Sequence, residues 1–297
     1  MERRKSKEIK IGSVKIGADH PIAVQSMTFT KTANAAATVE QILSLERAGC
    51  DIVRFSVPDE ESAKSISYIK EHTHIPLVAD IHFNYKLALA ALERGIDKIR
   101  INPGNIGSPE RIKAVADACR MRGVPIRIGV NGGSLEKHIL AKYGSPTPEA
   151  LCESALYHVR LLEQFDFTDI VVSIKSSDVA DTVRANRLFA EKTDYPLHLG
   201  VTEAGTERMG IIKSSAGIGS LLLDGIGDTI RVSLTDEVEK EVAAARDLLK
   251  ALGLRGGVNI VSCPTCARTN IDVIGLATRL HALLDDCEKN IKVAVMG

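Results

Sequence analysis

Residues 98–130 read K-I-R-I-N-P-G-N-I-G-S-P-E-R-I-K-A-V-A-D-A-C-R-M-R-G-V-P-I-R-I-G-V. Two short Ile- and Val-rich runs, Lys98 to Gly104 and Pro125 to Val130, flank a segment from Ser108 to Arg122 with amphipathic helical spacing. A strand, a crossover of that length and a second strand make a parallel unit. Toward the N-terminus the alternation recurs at Pro21 to Met27, Asp51 to Val57 and Pro76 to His82; toward the C-terminus it recurs at Asp169 to Lys175, Pro196 to Val201 and Thr229 to Leu234. The eight runs start 22 to 33 residues apart, except for one step of 44. Near-continuous apolar strands are covered on both faces, and eight of them predict a closed (β/α)8 TIM-type barrel. An open doubly wound sheet is the rival, but S-M-T-F-T-K-T stands where a dinucleotide fold places G-x-G-x-x-G. The long step holds N-G-G-S-L-E-K-H and G-S-P-T-P, an elaborated loop expected at the barrel mouth.

A helix from Asp236 to Leu252 follows the eighth run, and Arg255-Gly256-Gly257 reads as a linker. Beyond it come a strand over Val258 to Ser262, C-P-T-C-A-R-T-N, a helix from about Ile271 to Glu288 and a strand over Ile291 to Met296. The expected division is a barrel over 1–254 and a small α/β unit over 255–297 whose second strand is cut off as it emerges, so the domain reads as truncated. The 297 residues carry 38 Lys plus Arg, 38 Asp plus Glu and 44% hydrophobic residues, which excludes disorder and argues against a nucleic-acid partner. No apolar stretch reaches the roughly 18 residues of a membrane span, and the start M-E-R-R-K-S-K-E has no apolar leader core, so a cytoplasmic protein without a membrane partner is expected. Six cysteines are too few for a disulfide scaffold.

Four strands carry an arginine at a similar point, Arg54, Arg100, Arg127 and Arg231, and a fifth ends in Lys175. A buried mid-strand cation needs an anion, and Asp80 and Glu203 can neutralise two of the five. The remainder predicts a phosphate or diphosphate ligand, which suits the planar guanidinium fork; structural ion pairs between strands are the plainer account of any one arginine. Lys175 is equally a phosphate contact or a Schiff-base amine. Asp80 and His82, two apart, face one way on a strand and could share a substrate or a metal. Asn102 and Asn131 sit just past strands where amides bind ligand oxygens or form turns, and Glu203 is placed for general acid work or for an arginine partnership. Cys263 and Cys266 form a C-x-x-C that fits a redox dithiol, half a zinc site or part of an iron–sulfur cluster, and Cys287 at the far end of the next helix is a poor third ligand. Cys50, Cys119 and Cys152 read as small buried side chains.

Taken in order, V-Q-S-M-T, A-D-I-H-F, K-I-R-I-N-P-G-N, I-R-I-G-V-N-G-G-S, S-I-K-S-S, T-E-A-G, I-R-V-S-L-T and S-C-P-T-C-A-R-T resemble the 4-hydroxy-3-methylbut-2-en-1-yl diphosphate synthase family, the IspG or GcpE enzymes of non-mevalonate isoprenoid biosynthesis. The resemblance implies two-electron reductive opening of 2-C-methyl-D-erythritol 2,4-cyclodiphosphate to the linear allylic diphosphate. It implies a 4Fe-4S cluster, flavodoxin or ferredoxin as donor, and a head-to-tail homodimer. Carried over by position, it implies that Arg54, Arg100, Arg127, Lys175, Arg231 and Ser233 hold the diphosphate, with Asp80, His82, Asn102 and Asn131 orienting it. Glu203 then faces the carbon skeleton and departing hydroxyl, and Cys263 and Cys266 are two cluster ligands; a third cysteine and a glutamate are expected past Gly297. F-T-K-T-A-N, after the first strand, departs from the family pattern. An aldolase-type barrel using Lys175 and a non-catalytic anion-binding or dithiol module are the alternatives.

Overall fold

A computed structural model of the chain describes residues 2–284, 287 and 289–297. The chain opens with a short antiparallel hairpin, β1 (Ile9–Ile11) and β2 (Val14–Ile16), in which Gly12 takes the left-handed turn conformation. The alternation then runs β3 (Ala23–Met27), α1 (Ala35–Arg47), β4 (Ile52–Ser56), α2 (Glu60–Glu71), β5 (Leu77–Ile81), α3 (Tyr85–Glu93) and β6 (Lys98–Ile101). It continues through α4 (Pro103–Ile106), α5 (Pro109–Arg122), β7 (Ile126–Asn131), α6 (Lys137–Tyr143), α7 (Pro148–Glu163), β8 (Ile170–Lys175) and α8 (Val179–Ala190). The last part holds β9 (His198–Leu199), α9 (Glu207–Leu223), β10 (Thr229–Ile230), α10 (Val238–Ala251), β11 (Val258–Ser262), α11 (Val273–Leu284) and β12 (Ile291–Val295).

All eight apolar runs of the sequence are strands of one parallel sheet, ordered β8-β7-β6-β5-β4-β3-β10-β9. A parallel bridge between Val172 and Leu197 brings β8 to the start of β9 and closes the ring. The local sequence supports each crossover. Asp59, Asn84 and Asp178 accept backbone N–H groups at the starts of α2, α3 and α8, and proline opens α5 and α7, where its missing N–H costs nothing.

The hairpin stands outside that repeat and was not anticipated from it. Ile9, Ile11 and Ile16 pack against Ala23, Ile52, Val78 and Val171, residues near the N-terminal ends of four barrel strands. The end of the barrel away from the strand C-termini therefore has an apolar floor. Up to Ala245 the chain forms one compact unit, and from Arg246 onward a second; the division falls inside α10. In the second unit β11 and β12 pair in parallel from Val258 opposite Ile291 to Ser262 opposite Val295, with α11 as their crossover. Val273 and Val295 are buried in it.

The floor makes a stability prediction. Ile11 is fully buried, so Ile11→Ala is expected to cost about 3 kcal/mol in urea-induced unfolding. Exposed Lys10, next to it on the same strand, is expected to tolerate alanine with little change.

Candidate active site

Alternation along the barrel strands sends every second side chain inward. On β6 those are Lys98 and Arg100; on neighbouring β7, where Arg100 is in register with Arg127, they include Arg127 and Gly129. Asp80 of β5 is in register with Arg100, and Asn131 with Lys175 at the end of β8. Arg54 on β4 and Arg231 just past β10 complete the set of five cations singled out from the sequence.

The structure brings these groups together. Asp80 Oδ1 accepts from Arg100 Nη1 at 2.9 Å, and its Oδ2 lies 3.5 Å from Arg54 Nε. Arg54 also directs Nε and Nη2 at the Met27 sulfur, at 3.1 and 2.8 Å, and Arg231 Nη1 lies 3.6 Å from the same sulfur. Arg127 is fully buried, with one long 3.5 Å bond to Gln25. Burial opposes ionisation of Asp80, but Arg54 and Arg100, with His82 and Arg127, outweigh it and hold the carboxyl down at about 2. Burial beside Arg231 and Arg100 lowers the Arg54 guanidinium to about 10, against the pull of Asp80. Lys175 is pushed well below the ordinary lysine value, by burial first and then by Arg127, Arg231, Arg54 and Arg100. The mouth is electron-poor, and an anion entering it relieves repulsion already present.

The second neutralising carboxylate is Glu241 rather than the expected Glu203. Glu241 is buried on α10, takes Arg231 Nε and Nη2 at 3.2 Å each, and also accepts from Ser26 Oγ and the Leu234 N–H at 3.0 Å. Its signal in the sequence is a glutamate among Val238, Val242, Ala245 and Leu249, the residues that α10 buries. Glu203 is exposed and holds a left-handed φ of +52°, uncommon for a residue with a Cβ and often seen where a side chain is aimed for a purpose.

Two glycines make room for the cations. A Cβ on Gly129 would meet Arg100 Nε at 2.5 Å, and one on Gly200 would meet Lys175 Nζ at 2.6 Å. Asn102 is buried and accepts the Gly104 N–H at 3.1 Å, so its amide builds the turn after β6. Above that turn, fully buried His158 bonds Glu136 of the long loop, and a Cβ on Gly104 would touch both side chains. Asn131 accepts the Gly133 N–H at 3.1 Å and is half-buried. Ser233 is half-buried just past Arg231, while His82 is exposed at the end of β5. A separate cavity of about 490 Å³ between α6, α7 and α8, lined by His138, Lys142, Tyr157 and Lys192 among others, contains none of these residues.

In the second unit Cys263 follows β11 and its N–H bonds the Val295 carbonyl at 2.9 Å. Cys266 is exposed, and hydrogen bonds from the backbone and side chain of Arg268, then from Thr269, hold its thiol below the ordinary value. Such a thiol is ready to ligate a metal. The two fit two thiolate positions of an iron–sulfur cluster, but among the described residues no three His, Cys, Asp or Glu side chains gather into a metal site. Cys50, Cys119 and Cys152 are buried as expected, and burial pushes Cys50 up to about 12. No helix among the described residues is long and apolar enough to cross a membrane.

Fold and mouth together define a (β/α)8-barrel protein with a cationic strand-end site, followed by a small α/β unit bearing a cysteine pair. Residues 6–246 match the GcpE TIM-barrel domain and residues 259–297 the GcpE protein C-terminal domain, and the chain belongs to the GcpE family. It is 58% identical over 292 residues to the 4-hydroxy-3-methylbut-2-en-1-yl diphosphate synthase (flavodoxin) of Caldicellulosiruptor saccharolyticus, covering 98% of this chain and 84% of that one. The protein of the same description from Caldanaerobacter subterraneus is 60% identical over 296 residues, 99% of this chain and 83% of the relative. Among solved structures, dihydropteroate synthase of Stenotrophomonas maltophilia superposes with a TM-score of 0.61 at 16% identity, over 84% of this chain and 97% of that one, a likeness of fold alone. Family membership favours neither the aldolase reading of Lys175 nor the dithiol module.

The packing of Arg100 on Gly129 is directly testable. Gly129→Ala is expected to push the guanidinium off Asp80 and to weaken inorganic pyrophosphate binding ~10-fold by calorimetry, equivalent to about 1.4 kcal/mol. The circular dichroism spectrum should stay unchanged.

Proposed function

We propose that this protein is a 4-hydroxy-3-methylbut-2-en-1-yl diphosphate synthase, reducing 2-C-methyl-D-erythritol 2,4-cyclodiphosphate to the linear allylic diphosphate with electrons from flavodoxin. The observation that carries the reading is the excess of inward cations over carboxylates at the mouth, where, among the described residues, Arg54, Arg100, Arg127, Arg231 and Lys175 face Asp80 and Glu241. The relatives described above carry this name, flavodoxin included.

In this reading Arg54, Arg100, Arg127, Lys175, Arg231 and Ser233 grip the diphosphate. Asp80 fixes the forks of Arg54 and Arg100, and Glu241 fixes that of Arg231. His82, Asn102 and Asn131 orient the ligand from the strand ends. Glu203, aimed by its left-handed backbone, is the acid for the departing hydroxyl. Overall, the cyclic diphosphate takes up two electrons and one proton, a carbon–oxygen bond to the ring phosphate and the bond to the hydroxyl carbon break, and the linear diphosphate and water leave. Residues 1–254 bind the substrate, and 255–297 contribute Cys263 and Cys266 to a 4Fe-4S cluster. When bound, that cluster supplies the electrons. The family resemblance carries with it a homodimer.

The test is anaerobic turnover with reduced flavodoxin. Linear diphosphate should form from the cyclic substrate, and Cys263→Ser should abolish turnover while cyclic diphosphate still binds. Failure of the unaltered protein to bind that substrate, or equal binding by Arg100→Ala, overturns the reading.

Lys175 adds a pH signature. Its amine is held below the ordinary value before an anion enters, and a bound dianion raises it again, so binding takes up a proton and affinity falls as pH rises through the depressed value. Calorimetry in buffers of different ionisation enthalpy should register that uptake, and Lys175→Met should remove it.

A further inference from the structure

Below the mouth, the inward positions of the barrel include Gln25, Lys98, Arg127, Ser173, His198 and Thr229, all buried. Packed barrels of this kind ordinarily fill such a layer with branched apolar side chains. Here four nitrogens in it have no hydrogen-bond partner: Gln25 Nε2, Lys98 Nζ, Arg127 Nε and His198 Nε2. They come from four strands, β3, β6, β7 and β9, and belong to residues no more than 1% exposed. Arg127 stands opposite Arg100 in register, one inward position above Lys98 on the neighbouring strand. Arg127 bonds Gln25, and Lys98 and His198 are each depressed by burial and by the charge of Arg127, His198 also by that of Lys98.

Buried polar nitrogens left unpaired on this scale point to an occupant, because each costs free energy when nothing pairs with it. Water satisfies hydrogen bonds but brings no charge, and the layer has cationic side chains without a carboxylate of its own. Asp80 is already engaged by Arg54 and Arg100. Val78, opposite Lys98 in register, and Ala23, opposite Thr229, are apolar and pack with Ile52 and Val171 against the hairpin, which closes this end of the barrel. Lys98 lies one inward position below Arg100 on β6, its Cα about 6–7 Å deeper.

We propose that this layer encloses one small monovalent anion of the halide class, held by Lys98 Nζ and Arg127 Nε, with His198 and Gln25 completing the shell. The site is independent of the diphosphate reading and exists in its absence. With the anion in place the lysine keeps its proton, and Arg127 is braced from below while its far side serves the mouth.

The test uses the intact protein and no substrate. Crystals grown in bromide, with diffraction recorded at the bromine edge, should show an anomalous peak against Lys98 Nζ. Thermal melts at equal ionic strength should give a melting temperature about 3 °C higher in bromide than in gluconate. Lys98→Met should remove both effects, and Lys98→Gln, which keeps a polar end, serves if the methionine variant does not fold. Ordered waters in the layer with no anomalous peak, peaks confined to the mouth arginines, or melts blind to halide would each overturn the proposal.

Discussion

The constraint on which the barrel interior depends is an imbalance of charge. Arg54, Lys98, Arg100, Arg127, Lys175 and Arg231 occupy the interior and mouth of the barrel, and among the described residues Asp80 and Glu241 are the carboxylates that pair with them. Such crowding is tolerable because both carboxylates are buried and directed at guanidinium groups. Asp80 bridges Arg54 and Arg100, and Glu241 takes the fork of Arg231 while also accepting from Ser26 and the backbone of Leu234. Removing either carboxylate leaves buried guanidinium uncompensated, which is far more costly than losing a surface ion pair.

The rest of the interior follows from that volume being crowded. Gly129 and Gly200 occupy inward positions where any side chain would collide with Arg100 or Lys175. Met27 supplies the weakest of acceptors at the point where Arg54 and Arg231 approach each other, a soft sulfur that a stronger acceptor can replace. A carboxylate at that position would hold both forks tightly and leave them less open to an incoming anion.

What the sequence makes legible is set by periodicity. The eight runs announce themselves because parallel strands buried on both faces are apolar throughout, and the arginines stand out against that background. The same alternation that makes Arg100 inward makes Lys98 inward, yet a lysine opening a strand reads as a flank until the structure shows it fully buried. Glu241 was hidden because it belongs to a helix after the last strand, where a glutamate is ordinary unless its neighbours on the helical face are examined. The N-terminal hairpin has three-residue strands and no crossover, so it leaves no trace in a search for β/α units. His198 is illegible for another reason: β9 is two residues long, too short for its parity to show without the pairing to Thr229.

The protonation of the two lysines ties these observations together. Before either lysine is counted, the four arginines and two carboxylates leave two positive charges, the complement of a ring-closed diphosphate carrying one charge on each phosphate. Opening the ring creates a terminal phosphate with a further charge, so the proton that Lys175 takes up on substrate binding is held more firmly still by the product, against the repulsion of Arg127, Arg231, Arg54 and Arg100. On the proposed reading the product is therefore held at least as tightly as the substrate unless that proton is surrendered. Product release, rather than capture of substrate, is then the step that this distribution of charge makes difficult.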